Sequence, residues 1–339
     1  MSGETEPSTG SGAERTNTAD LTMVALAHRP TGVAVTPDGS RVYLTVLDLH
    51  PDGLDFGGVT VVETATDTVT ATLDLGRNPR GIAISPDGGR VYVPSVDPLR
   101  GESVLNTIDT ATDTVVARVV LGRHTTPPTG VALSPDGALA YVVTVPGPGR
   151  SSGALHVVDT ATGTVADRIA VGLDPFGITV TPDGRRAYVS ISGDDGVEVD
   201  LSTRTVTRRL GFPFSSEFRT AVTADGARAY VVRTDNTDVF AVDLATLQAA
   251  GAAETTGLTT DVAMAPDGRR AYVTQRQGES AAQNLIAIDT ATDRVAESPV
   301  RWSGDASALA IAPDGTRAYV ADHHADQLVV IPLPLPPQP

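Results

Sequence analysis

Histidine and arginine are the residues of this chain best equipped for chemistry, and their company already narrows what that chemistry can be. Neutral imidazole titrates near neutral pH and can give or take a proton, while a guanidinium grips planar anions through paired N–H donors. The chain carries six histidines and 25 basic residues, every one of them an arginine. Without lysine there is no Schiff-base amine and no Walker-type phosphate loop. Without cysteine there is no thiolate nucleophile, thiolate metal site or disulfide framework. A formal net charge of -16 argues against nucleic-acid backbones and anionic membrane surfaces as partners.

What must position these groups is a repeat. Thr36-Pro37-Asp38-Gly39 returns as Ser85-Pro86-Asp87-Gly88, Ser134-Pro135-Asp136-Gly137, Thr181-Pro182-Asp183-Gly184, Thr223-Ala224-Asp225-Gly226, Ala265-Pro266-Asp267-Gly268 and Ala312-Pro313-Asp314-Gly315. The spacings, 49, 49, 47, 42, 42 and 47 residues, suit one four-stranded blade per repeat. Proline followed by Asp-Gly makes a tight turn between strands A and B. Each blade goes on to a run such as Ile108-Asp109-Thr110-Ala111-Thr112-Asp113-Thr114-Val115, whose apolar alternation around a polar turn predicts a C–D hairpin.

The expected fold is all-β: a seven-bladed β-propeller of four-stranded antiparallel blades, closed by the N-terminal strand. After the last C strand comes Pro332-Leu333-Pro334-Leu335-Pro336-Pro337, and proline has no N–H to donate to a ladder. Leu21 to Leu26 stands before the first A strand, where other repeats carry a D strand, and is expected to complete blade 7. This divides the chain into a disordered segment 1–20, a propeller over 21–332 and a Pro-rich tail over 333–339. Residues 1–20 lack the apolar core of a signal peptide, so a cytoplasmic protein is expected.

Ser85-Pro86-Asp87-Gly88-Gly89-Arg90-Val91-Tyr92-Val93, with the hairpin from Ile108 to Ala117, resembles the YVTN-repeat β-propeller family. The resemblance runs from about Leu21 to Ile331, with blades 4 and 5 the most divergent. It implies the fold and is nearly silent on function, because propellers of this kind serve as surface and scaffold proteins, in cofactor-associated roles and beside lactonases and lyases.

The repeat explains many suggestive residues. All seven tyrosines fill one strand-B slot, and the aspartates that recur with the repeat, such as Asp38, Asp87, Asp109 and Asp289, serve turns. Residues outside the consensus collect instead in the B–C and D–A loops, which share one face of the ring. His28, His50, His124, His323 and His324 fall there, as do Phe56, Phe176, Phe212, Phe214, Phe218 and the only tryptophan, Trp302. His28, His50, His323 and His324 are neighbours around the join, a composition that could suit zinc. No His-x-His or His-Glu-x-x-His spacing occurs, and adjacent His323 and His324 point to opposite sides of an extended chain, so neither a metal nor another cofactor is expected. Arg219 and Asp261 occupy the strand-A slot that holds Gly32, Gly81, Gly130 and Gly177 in blades 1 to 4. They either pair near the axis or leave Arg219, with Arg80, to bind a carboxylate.

These residues point to a propeller that binds, and as an enzyme would convert, a small, carboxylate-bearing and partly apolar molecule. Phe176, Phe214, Phe218 and Trp302 would wall the site, Arg80, Arg219 and Asp261 would fix the ligand, and His50, His124, His323 or His324 would act as acid or base. Lyase, isomerase, cyclase or lactone-hydrolase chemistry would suit. The alternative is a protein-interaction scaffold using the same face.

Overall fold

The computed structural model describes residues 21–48, 56–123, 128–145, 152–211, 217–278, 282–296 and 299–335, and these form a seven-bladed β-propeller of antiparallel strands. The turn phrase works as a small hydrogen-bonded knot. The Thr36 hydroxyl donates to Asp38 Oδ1 at 2.6 Å, the same oxygen accepts the Ser40 N–H at 3.0 Å, and Thr36 Oγ1 accepts the Arg41 N–H at 3.0 Å. Gly39 closes the turn at φ 72°, a conformation open to glycine at no steric cost. Blades 2 to 5 repeat the hydroxyl–aspartate bond at 2.5 to 2.6 Å from Ser85, Ser134, Thr181 and Thr223. In blades 6 and 7 alanine precedes the Pro-Asp-Gly, so this bond is lost there.

The A strands are Arg29–Val35, Ala83–Ile84, Gly130–Leu133, Pro175–Val180, Phe218–Val222, Leu258–Met264 and Ala306–Ile311 in blades 1 to 7. They stand innermost and are only half-buried where they face the central channel. Blades 1 and 2 are joined into one ladder by the Arg77–Val96 pair. The outer strand of blade 6 is broken into Arg294–Val295 and Val300–Ser303, both on Ala282–Asp289.

The join is closed as the ends of the chain suggest. Thr22–Ala25 runs antiparallel to Gln327–Pro332, from Thr22 opposite Val330 to Ala25 opposite Gln327, and the Leu26 N–H extends the pairing to the Asp326 carbonyl at 2.8 Å. Val24 and Leu26 are buried with Val42, Leu44, Leu328 and Val330, so the closure is also a shared core. Residues 1–20 lie outside the described residues. Leu333 and Leu335 are buried against the blade 6–7 core, so the start of the Pro-rich tail is packed onto the propeller.

Neighbouring blades are also tied at the turn face. The Tyr43 hydroxyl donates to Asp113 Oδ1 of the next blade at 2.6 Å, and Tyr230 does the same to Asp293 at 2.7 Å. Arg41, Arg228 and Arg317 reach Asp113, Asp293 and Asp67 in turn. Those three aspartates sit at positive φ in the C–D turns, a position filled by Gly163, Arg204 and Leu247 in blades 3 to 5. Burial, with the Asp113 carboxylate beside it, pushes the Tyr43 phenol up to about 12.

Candidate functional site: the axial cavity

Where A strands converge, a side chain has nowhere to go. A Cβ on Gly81 would lie 3.2 Å from Gly130 Cα, and one on Gly130 would lie 3.3 Å from Gly177 Cα. Blades 1 to 4 therefore hold glycine at this slot, and blade 7 holds Ala308. Blades 5 and 6 place Arg219 and Asp261 there instead, and both side chains enter a cavity of about 690 Å³ on the axis. That volume falls within the roughly 300–1,000 Å³ of small-molecule sites. The wall is built from the starts of the A strands, with Leu47 at the end of a B strand and His323 in a B–C loop. The cavity thus lies toward the face that carries the variable loops.

The preceding slot shows the same break in symmetry. Thr31, Thr129 and Ser307 use it to tie blades together, donating to the carbonyls of Pro79 at 3.2 Å, Pro175 at 2.6 Å and Pro30 at 3.0 Å. Thr260 in blade 6 bonds within its own blade, to Thr274. Blades 2, 4 and 5 put Arg80, Phe176 and Phe218 at this position and forgo the tie. All three line the cavity.

Arg219 lies over the Phe176 ring, its guanidinium carbon 4.3 Å from the centroid. Gly177 lies beside it: a Cβ there would touch Arg219 Nη1 at 3.4 Å and crowd Ser190 Oγ at 3.1 Å. Stacking covers the flat face of the guanidinium and leaves its in-plane N–H donors to point elsewhere; no hydrogen bond or ion pair joins Arg219 to the described residues. Asp261 is held differently. Its Oδ2 accepts the Leu309 N–H of blade 7 at 2.8 Å, and its Oδ1 accepts the Val262 N–H at 2.9 Å. Protein surrounds the carboxyl on all sides except the cavity, and burial raises its pKa against the opposing pull of the Arg219 charge.

His323 stands on the cavity wall, and its N–H donates to the Asp305 carbonyl at 2.8 Å. The loop around it is fixed by buried Asp322, which accepts the Asp305 N–H at 2.8 Å and the Gln327 side chain at 3.1 Å. His324, next in the chain, is exposed and does not line the cavity. His50, His124 and Phe214 lie outside the described residues. Among the described residues no group of three His, Asp or Glu side chains could hold a metal ion.

Four aromatic positions differ from the loop placement expected of them: Phe56 opens the blade 1 C strand Phe56–Glu63, and Phe176 is the second residue of the blade 4 A strand. Phe218 is the first residue of the blade 5 A strand and is 4 % exposed, packed with Tyr188, Leu210 and Phe240, so it is core and cavity wall at once. Trp302 is not on the cavity wall. It belongs to the split outer strand of blade 6 and is buried with Tyr272, Leu285, Leu333 and Leu335. The break after Val295 made this strand look like a loop. Asp305 was missed: it lines the cavity three residues before the Ala308 slot, but at that distance from the turn phrase the repeat has no consensus to depart from.

No protein-family model matches the chain, and no curated relative matches it. Among solved structures, it is similar to Kuenenia stuttgartiensis Hydrazine Synthase, with 19% sequence identity and a TM-score of 0.71, over 93% of this chain and 98% of that one. Likeness at that identity speaks for the propeller fold. Among the described residues no helix is long and apolar enough to cross a membrane.

Proposed function

We propose that the protein binds a small organic anion in the axial cavity, with Arg219 as its anchor, Arg80 as a second cation and Phe176 and Phe218 as the apolar wall. One observation carries this reading: a guanidinium without a hydrogen-bond partner among the described residues, stacked 4.3 Å above Phe176 inside a cavity of small-molecule size. A stacked guanidinium keeps its donor edge in one plane, which suits bidentate capture of a carboxylate. His323 on the same wall is the group best placed to move a proton, so lyase, isomerase, cyclase or lactone-hydrolase chemistry is the class such a site would support. Among YVTN-type propellers, which this chain's repeat phrases resemble, that would make it a ligand-handling member.

Calorimetry with a panel of small carboxylates tests the reading. Binding that weakens at least about tenfold in Arg219→Gln, the size expected when a charge-assisted pair is removed, supports it. Carboxylates that bind wild type and Arg219→Gln alike would defeat it.

A further inference from the structure

We propose that the ligand is dipolar, an amino-acid-like molecule whose anionic group meets Arg219 and whose cationic group meets Asp261. This rests on the reading of the cavity as a small-molecule site and goes beyond it by assigning the second charge. Arg219 and Asp261 hold the same slot in adjacent blades and face the same space; the Arg219 charge acts on the Asp261 carboxyl, yet the two make no close ion pair with each other. Each leans away from the other. Arg219 is drawn back one blade, onto Phe176 of blade 4, while Asp261 is held forward by the Leu309 N–H of blade 7. The ring thus keeps two opposite charges side by side and open, at a place where they would otherwise neutralise each other.

The rest of the wall adds one more charge of each sign. Asp305 of blade 7 lines the cavity on the Asp261 side, and no hydrogen bond engages its carboxylate among the described residues. Arg80 of blade 2 supplies the second cation. A plain anion in this space would meet two carboxylates, and a plain cation two guanidinium groups. A molecule carrying both signs answers each charge with its opposite, and such a wall also selects against the singly charged competitors. Burial raises the Asp261 pKa, and a ligand ammonium beside it would restore the carboxylate form.

The test uses matched triplets on the full chain: glycine to 6-aminohexanoate and the aromatic amino acids, each with its deaminated acid and its decarboxylated amine, measured by calorimetry. The expected result is at least one amino acid binding about tenfold or more tighter than both counterparts, the size of one charge-assisted contact. Asp261→Asn should then reduce the preference over the deaminated acid to about twofold, whereas Arg219→Gln should weaken amino acid and deaminated acid together. Deaminated acids that bind as tightly as their parents would overturn the dipolar assignment and leave the anion reading standing. Amines that bind as well as the amino acids, or a panel with no binder, would overturn both. Thermal melts of each variant show whether it is folded, and Asp261→Glu, which keeps the charge, should retain the preference that Asp261→Asn loses.

Discussion

At the turn end of the A strands the same groups recur in most blades, whereas at the cavity end blades 2, 4, 5 and 6 carry side chains that break the repeat. Much of the turn end is satisfied: hydroxyl to aspartate in blades 1 to 5, aspartate to backbone, and, for Tyr43 and Tyr230, tyrosine to a carboxylate of the next blade. At the cavity end Arg219 has no hydrogen bond among the described residues, and Asp261 is charged only against the cost of its burial. The two ends are a few residues apart on one strand, so the contrast cannot come from different folds. The turn end stabilises the ring, and the cavity end keeps bonding capacity in reserve for something else.

If that division is right, mutations at the scaffold should damage folding and mutations at the cavity should not. The largest effect is expected at the join. A chain starting at Leu21 should melt close to the full-length protein, whereas one starting at Ala27 loses the outer strand of blade 7 together with the buried Val24 and Leu26, and should not yield soluble folded protein. Equal melting temperatures for the two chains would break the account of closure.

Next in size are single side chains. Phe218→Ala should cost about 3 kcal/mol as a core truncation, because Phe218 packs between Tyr188, Leu210 and Phe240 as well as lining the cavity. Asp293→Ala removes the partner of both Arg228 and Tyr230 and should cost about 2 kcal/mol. Arg219→Gln, by contrast, should cost only about 1 kcal/mol, since it loses the contact with the Phe176 ring and the charge facing Asp261 but no hydrogen bond within the described structure. Chemical denaturation of the three variants checks the ranking, and an Arg219→Gln as unstable as Asp293→Ala would erase the distinction between the two ends.

The scaffold was legible in the sequence because it repeats: seven turn phrases give the blades, and prolines after Ile331 imply that Leu21 to Leu26 must complete the ring. The cavity was legible where a repeat slot is broken, and at His323, a rare residue type in a B–C loop. Arg219 and Asp261 stand out against glycine, and Arg80, Phe176 and Phe218 stand where blades 1, 3, 6 and 7 carry a hydroxyl. Trp302 was misplaced because the outer strand of blade 6 is interrupted, which hides its alternation. Asp305 could not be picked out, because its position falls outside the repeated phrase and only the three-dimensional wall brings it to Asp261.

Acid sharpens the comparison at the turn end. The Thr36 hydroxyl, with the Ser40 N–H, lowers the Asp38 carboxyl to about 2, and the Ser202 hydroxyl, with the Thr203 N–H, does the same for Asp200. In the unfolded chain these groups take up a proton near pH 4. Between about pH 4 and pH 2 the unfolded state therefore binds protons that the folded state does not, and stability should fall as the pH is lowered through that window. Thr36→Val should flatten the slope of melting temperature against pH there; an unchanged slope would mean that the hydroxyl does not hold the carboxylate.

The smallest effect has the opposite sign. Burial raises the Asp261 pKa, so as the pH climbs past about 4 the unfolded chain gives up this proton before the folded one does. Over that range the folded state becomes less favoured, until the folded carboxyl has ionised as well. Asp261→Asn cannot ionise, and its amide oxygen can still accept a backbone N–H, so the variant should melt slightly above wild type at pH 7 and lose that advantage below pH 4. Turn-end aspartates should show the reverse, with Asp38→Asn melting below wild type at pH 7 and converging with it in acid. Opposite slopes from two aspartates on neighbouring stretches of the same fold would mark one as scaffold and the other as a group whose charge the folded protein keeps at a cost. An Asp261→Asn variant less stable than wild type at pH 7 would place Asp261 with the scaffold and remove the contrast on which the cavity end has been distinguished.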